Sequence, residues 1–222
     1  MIQLFHVSKY YERRAALSDI NLQITKGEFV LLMGPSGAGK TTLLKLLFCA
    51  EPPDEGQILV QNRNVARLRP SDIPYLRRTM GVVFQDFRLL PKKNVFSNVA
   101  LPLLVQGASA FEIRRKVTEA LKAVGVDHRK DSRPATLSAG EQQRVCIARA
   151  IVNSPIILLA DEPTGNMDPE LAGEIIELFK TINARGTTVM VATHNRQVVD
   201  QVNRRVVTLN QGKLISDEGA GQ

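Results

Sequence analysis

The sequence predicts an α/β fold with a mostly parallel core sheet, an antiparallel β edge and an inserted helical subdomain. Three observations carry that prediction. Short β-rich runs recur between helical patterns, and several are continuous apolar blocks, as strands covered on both faces must be. One of them, Phe29–Met33, feeds a glycine-rich loop and then a leucine-rich helix. Strand signals stop after Phe84 and resume only beyond Leu137, which marks the interval as a mostly helical insertion. At 222 residues, with 44% hydrophobic and 23% charged side chains, the chain fits one domain with a compact insertion. The expected division is a core of residues 1–86 and 137–222, an insertion over about 87–136, and a helix from 138 closely associated with it.

Each element has a local reason. Ile2–Val7 opens the chain, and the alternation in Ile2 and Leu4, and again in Leu22 and Ile24, suits the antiparallel edge. Phe29–Met33, Ile58–Val60, Gly81–Phe84, Ile156–Ala160, Thr187–Ala192 and Arg205–Leu209 read as further strands. A helix over Ala110–Val124 places Ile113, Val117, Ala120, Leu121 and Val124 on one face, with Ser109 and Glu112 as a capping box and Gly125 as its stop. Another opens at Ser138 and runs to Val152, before Asn153-Ser154-Pro155. A third spans Pro169–Ala184, with Asp168 as N-cap and Gly186 as terminator. Gly212 reads as the turn of a closing hairpin, and Ser216–Gln222 as a frayed tail.

Composition excludes several classes. No apolar run approaches the ~20 residues a membrane span requires, and the N-terminal stretch lacks the basic start and apolar block of a signal peptide. A soluble, cytoplasmic protein is expected. Cys49 and Cys146 lie in apolar stretches and read as buried thiols rather than a disulfide. The formal net charge is +7. Residues 1–80 carry 11 basic and 7 acidic side chains and residues 81–136 carry 10 and 5, whereas residues 137–222 carry 8 and 10. Such an excess favours anionic partners without choosing among nucleic acid, lipid headgroups and acidic proteins.

The chemistry concentrates in three stretches. Gly34-Pro35-Ser36-Gly37-Ala38-Gly39-Lys40-Thr41 matches G-x-x-x-x-G-K-[ST] between a strand and a helix, the context such a loop needs. Its glycines let backbone N–H groups turn towards phosphate oxygens, Lys40 neutralises them, and Thr41 offers a hydroxyl to Mg2+. Thr42 completes the candidate nucleotide-binding set. At the end of Ile156–Ala160, Asp161 is the candidate Mg2+ ligand and Glu162 is placed to polarise an attacking water. Ser138 and Glu141, in Leu137-Ser138-Ala139-Gly140-Glu141, form an S-x-x-E capping box, and a capped helix N-terminus can also bind phosphate.

With the phosphate loop and the Asp-Glu pair, that last stretch resembles the signature motif of ABC-type ATPases, commonly written LSGGQ, with Ala139 for the first glycine and Glu141 for the glutamine. The resemblance runs from Val7 to about Leu214 and implies further roles. Tyr11, or its neighbour Tyr10, matches the aromatic that stacks on adenine; Gln85 matches the glutamine that touches Mg2+ and the lytic water. Asn166-Met167-Asp168 resembles the D-loop, and His194 the histidine that contacts the γ-phosphate. Glu162, His194 and Gln85 are thus the expected catalytic residues, and Ser138, Gly140, Glu141 and Asp168 join the nucleotide-binding set. The family implies an ATPase that uses ATP and Mg2+ and forms a head-to-tail homodimer on ATP binding, with each nucleotide between one chain's phosphate loop and the other's signature. It also implies an integral membrane partner docked on the insertion.

Leu76–Asp86, Leu89-Leu90, Asn98–Leu103 and Gly107-Ala108-Ser109 resemble the branch of the family that serves bacterial cell division. That branch implies a peripheral subunit on the cytoplasmic face of the inner membrane at the division site, touching the membrane mainly through its partner and working with other division-machinery proteins. It controls peptidoglycan hydrolases rather than moving a solute. The alternative is an ATPase of a lipoprotein-releasing or macrolide-type exporter. A nucleic-acid ATPase of the structural-maintenance kind would bring coiled coils or zinc-binding cysteine pairs, and the sequence has neither, so no nucleic acid is expected. A nucleotide-gated scaffold with little turnover is disfavoured by Glu162 and His194. The segment Phe87–Val105, with Phe87, Leu89, Leu90, Val95 and Phe96 beside Arg88, Lys92 and Lys93, suggests an apolar groove with a basic rim for the partner.

Overall fold

A computed structural model describes residues 1–12, 14–165 and 167–219. Its main sheet has six strands: β3 (Phe29–Met33), β6 (Met80–Val83), β7 (Ile157–Asp161), β8 (Thr188–Thr193), β9 (Arg205–Asn210) and β10 (Lys213–Glu218). They lie in the order β10-β9-β3-β8-β7-β6. All pair in parallel except β10, which returns antiparallel along β9. The continuous apolar runs follow from two-sided burial. Val30, Leu32, Ile157, Leu159, Met190 and Ala192 face one cluster, while Leu31, Leu158, Ala160, Val189 and Val191 face the other.

Against the second face lie α5 (Ala139–Ile151) and α6 (Pro169–Ala184), whose stripe of Ile175, Phe179 and Ile182 is buried. The first face is covered by α1 (Lys40–Leu47) and by a separate antiparallel sheet, ordered β2-β1-β4-β5: β1 (Ile2–Tyr11), β2 (Arg14–Ile24), β4 (Glu55–Val60) and β5 (Arg63–Asn64). Helix α1 contacts β2 as well as β7 and β8. Lying between two sheets, it has no solvent face for its leucines, and Leu43, Leu44, Leu46 and Leu47 are all buried. Ile58–Val60 therefore belongs to the antiparallel sheet and not to the parallel one.

Between β6 and α5 come α3 (Val95–Val105) and α4 (Ala110–Ala123), with no strand among the described residues. Val95, Val99, Leu103, Ile113, Val117 and Leu121 share one cluster with Val145 and Cys146 of α5 and with the sheet. Remaining elements are short: α2 (Ile73–Arg77) before β6, and α7 (Arg196–Val202) between β8 and β9.

Two local expectations change. The Ser109 hydroxyl caps α4 by accepting from the Glu112 N–H at 3.3 Å, but the Glu112 carboxylate turns to Lys116 at 2.8 Å, so only half of that capping box forms. The tail is ordered further than its composition suggests. Ser216, Asp217 and Glu218 pair with Thr208, Val207 and Val206, and Arg205 clamps Asp217 through two 2.7 Å bonds while reaching Glu28 at 2.7 Å. Cys49 and Cys146 are free and buried; burial pushes the Cys146 thiol up to about 12.

Gly81 of β6 lets α5 approach: an added Cβ would lie 2.4 Å from the Ala150 carbonyl oxygen and 2.9 Å from Leu158 Cδ1. Helix backbone yields less than a side-chain tip. Gly81→Ala is expected to destabilise the fold by about 1–3 kcal/mol, read as a lower urea midpoint at unchanged slope.

Candidate active site

The loop between β3 and α1 is shaped by what its glycines leave out. A Cβ on Gly34 would meet the Leu209 carbonyl oxygen at 2.3 Å, and one on Gly39 (φ 105°) would meet that of Ala16 at 2.6 Å. The hairpin turn between β9 and β10 closes over the loop, with Gly212 N–H donating to the Ala38 carbonyl at 3.0 Å. Gly39 supplies no side-chain cap, so the first-turn N–H groups of α1 are left for an anion. Lys40 is 5% exposed, and its Nζ donates to the carbonyls of Gly34 (2.7 Å) and Pro35 (3.1 Å) and reaches Glu162 Oε1 at 3.2 Å.

Glu162 follows β7 with a left-handed φ of 45°. Its N–H donates to the Ala192 carbonyl at 2.9 Å, which fixes the turn. Its other oxygen, Oε2, meets His194 Nδ1 at 2.9 Å and accepts from the His194 N–H at 3.3 Å. Glu162 thus bridges the loop ammonium and a half-exposed imidazole. Asp161 ends β7 beside Thr41. Burial pushes its carboxyl above the ordinary range, opposed by a hydrogen bond with Thr41, and its Oδ1 is buried without a hydrogen-bond partner. An orphaned carboxylate oxygen next to a hydroxyl is a donor set that suits a hard divalent cation.

Lys40, Thr41, Glu162 and His194 border one cleft of about 1010 Å³, which Gln85, Tyr10, Tyr11 and Gln211 also line. Gln85 and Thr41 also border a smaller cavity of about 380 Å³, which Asp161 lines with Lys45, Asp86 and Arg88. Both tyrosines remain candidates by position, but they are held differently. The Tyr11 hydroxyl donates to Glu51, which Lys45 grips at 2.9 Å, whereas Tyr10 reaches Glu55 only at 3.4 Å. Burial and Glu51 together raise the Tyr11 phenol above its usual value. Gln211 and Glu51 lack any motif spacing, so sequence patterns do not reveal them.

Ser138, Gly140, Glu141 and Asp168 do not line this cleft. Ser138 and Glu141 form the full capping box, with the Glu141 N–H donating to Ser138 Oγ at 3.2 Å and the Ser138 N–H to Glu141 Oε2 at 2.9 Å. Glu141 Oε1 also accepts from Arg129 at 2.7 Å, a contact a glutamine could not charge. A Cβ on Gly140 would sit 2.9 Å from both Leu171 methyls, so the start of α5 lies close against the Leu171 side chain of α6. Asp168 caps α6 by accepting from the Leu171 N–H at 2.9 Å. Asn166 lies outside the described residues.

The expected basic-rimmed groove involves only the far end of the Phe87–Val105 segment, through Leu101, Pro102 and Val105. Val95 is fully buried, and Phe87, Leu89 and Phe96 pack against the core of the insertion, leaving Leu90 41% exposed. Phe87 and Arg88 have left-handed φ values of 56° and 50°. Arg149 of α5 donates to both of their carbonyls at 2.6 Å, and the Cys146 thiol donates to that of Phe87 at 3.1 Å. The open groove instead lies between α2, β6 and the C-terminal ends of α3 and α5, about 630 Å³, with walls that include Phe48, Met80, Leu101, Pro102 and Val105.

Known proteins share this architecture. The model of the ABC transporter family matches residues 17–165. The cell division ATP-binding protein FtsE of Mycobacterium tuberculosis is 51% identical, covering 100% of this chain and 97% of that protein. The FtsE of Bacillus subtilis is 46% identical, covering 100% and 98%. Among solved structures, a dimeric ATP-binding cassette in a post-hydrolysis state bound to ADP and phosphate superposes with a TM-score of 0.92 at 37% identity, over 100% of both chains.

The Ser138 N–H first, and then Arg129, hold the Glu141 carboxyl below its ordinary value. A depressed folded value contributes stability that is fully present above the unfolded pKa of about 4.3 and is lost as pH falls from there through the lower folded value. Glu141→Gln is expected to cost about 0.5 kcal/mol at pH 7. In thermal unfolding against pH, the two proteins should converge below the carboxylate range.

Proposed function

The chain belongs to the ABC transporter family, and from that premise we propose that it is the ATP-hydrolysing subunit of an FtsE–FtsX-like membrane complex in bacterial cell division. The observation that carries the reading is the convergence of Lys40, Thr41, Glu162, Gln85 and His194 on one cleft, with Asp161 lining the smaller cavity that Thr41 and Gln85 also border. Backbone N–H groups between Ser36 and Thr42 cradle the β- and γ-phosphates of ATP, and Lys40 exchanges its loop carbonyls for phosphate oxygens. Thr41, Gln85 and Asp161 would hold Mg2+, which when bound offsets the charge of the phosphates.

That exchange frees Glu162 from the ammonium. Its carboxylate then takes the proton of the water that attacks the γ-phosphorus, while ADP leaves with the electron pair of the broken P–O bond. His194, already on Glu162 Oε2, orients that carboxylate and faces the γ-phosphate. The adenine stacks on Tyr11, whose hydroxyl is anchored through Glu51.

Ser138, Gly140, Glu141 and Asp168 serve the nucleotide of a second copy. Lying away from their own cleft, they complete a head-to-tail homodimer in which each site takes residues from both chains. Two phosphate-binding helix termini on one chain have an economical explanation in that arrangement. The groove beside β6 receives a cytoplasmic segment of the FtsX-like partner, which places the chain peripherally on the inner face of the membrane at the division site. ATP-driven dimerisation then acts through that partner on peptidoglycan hydrolases.

Co-purification from membranes tests the assignment: an FtsX-like integral protein is expected, and a lipoprotein-releasing or macrolide-export permease in its place would overturn it. Glu162→Gln should bind ATP yet slow hydrolysis by roughly 10²–10⁴-fold, with an ATP-bound dimer accumulating on sizing. Ser138→Arg should bind ATP as a monomer but fail to turn over. Mixed with Lys40→Ala it should regain at most one working site per dimer. Full-rate hydrolysis by a monomer contradicts the shared site.

A further inference from the structure

The groove beside β6 is apolar along most of its length, but its charge is one-sided. Arg77, Arg78 and Arg149 line it, and no aspartate or glutamate does. Elsewhere in the fold arginines meet carboxylates: Arg129 with Glu141, Arg144 with Glu174, Arg205 with Glu28 and Asp217. Among the described residues, none of the three groove arginines makes an ion pair.

Two of the three are committed to backbone. Arg77 donates to the Phe48 and Cys49 carbonyls at 3.1 and 2.9 Å, closing the end of α1, and Arg149 holds the Phe87 and Arg88 carbonyls. Arg78 is different. Its guanidinium lies over the Tyr75 ring, 4.9 Å from the centroid, and it is exposed at the groove wall.

A purely apolar occupant would seal these cations away from water with nothing opposite them, which is costly. A carboxylate brought into the same groove is attracted by all three. It also discriminates against basic segments, because like charges meeting in a half-buried site are repelled.

We propose that the occupant of this groove is a short cytoplasmic segment of the membrane partner that pairs an apolar face with a carboxylate side chain directed at Arg78. The inference rests on the reading of the groove as the partner's docking site and adds the chemistry by which the partner is chosen. The apolar face covers Phe48, Met80, Leu101 and Val105. The carboxylate meets a guanidinium already oriented by Tyr75, so little side-chain freedom is lost on pairing.

The test is co-purification of the full chain with its membrane partner from detergent-solubilised membranes, comparing wild type with Arg78→Glu, Arg78→Lys and, as an off-site control on α4, Arg114→Glu. Thermal unfolding verifies that each variant is folded. Recovery of the partner should fall at least about tenfold for Arg78→Glu, stay within about threefold for Arg78→Lys, and be unchanged for Arg114→Glu. Replacing the matching carboxylate of the partner segment by lysine should restore binding to Arg78→Glu. Undiminished recovery with Arg78→Glu, or an equal loss with Arg78→Lys, overturns the carboxylate while leaving the docking site intact. If the purified chain binds phosphatidylglycerol vesicles without the partner and Arg78→Glu abolishes it, the groove serves lipid and the proposal is wrong. If the wild-type chain recovers no membrane protein at all, the functional reading falls and this inference falls with it.

Discussion

One buried charge organises the cleft. The Lys40 ammonium is almost wholly removed from water, and such a group is stable only when its protons are spent and a counter-charge lies near. The loop meets that demand with two of its own carbonyls, and the strand end meets it with Glu162. Because Glu162 is also tied to His194, the ends of β3, β7 and β8 are held at one electrostatic centre. The parallel sheet makes this possible. Its strands run the same way, so their C-terminal ends, with the loops that follow them, gather at one edge.

Helix α5 links that centre to more distant surfaces. Its N-terminus carries the Ser138 capping box, and its C-terminal turn carries Arg149, about 16 Å further along the helix. Arg149 fixes the backbone just past Gln85 and also forms part of the groove wall. The small cavity behind Thr41 and Asp161 shares Phe48, Val82 and Phe84 with the groove. One packed layer therefore separates the candidate metal ligands from the surface assigned to the partner. A segment pressing on the groove acts on the same side chains that set Gln85.

The insertion carries no independent core. Its buried valines and leucines join those of α5 and the sheet in a single cluster, so its position follows the helix that bears the signature. Arg144 reinforces this by donating to the Val124 carbonyl at 3.0 Å, at the end of α4, and to Glu174 of α6 at 2.6 Å.

What the sequence determined by itself is whatever has a cause within a few residues. The loop from Gly34 to Thr42, the Asp161-Glu162 strand end, the Ser138 capping box and the Asp168 N-cap were legible because glycine conformation, two-sided burial and helix capping act locally. The tertiary structure decided what depends on partners distant in the chain. Alternation in the opening strands could not say that they form a sheet of their own, since sheet membership is set by which surface covers α1. Residues 87–105 looked like a docking face because their apolar character is visible, while the α5 and insertion core that absorbs Phe87, Leu89 and Phe96, and leaves only the far end at the groove, is not. Glu141 read as a departure from a motif until Arg129, folded back beside it, gave the carboxylate a partner. The groove and its unopposed arginines arise from segments that begin at Phe48 and end at Asn153, and only packing brings them together.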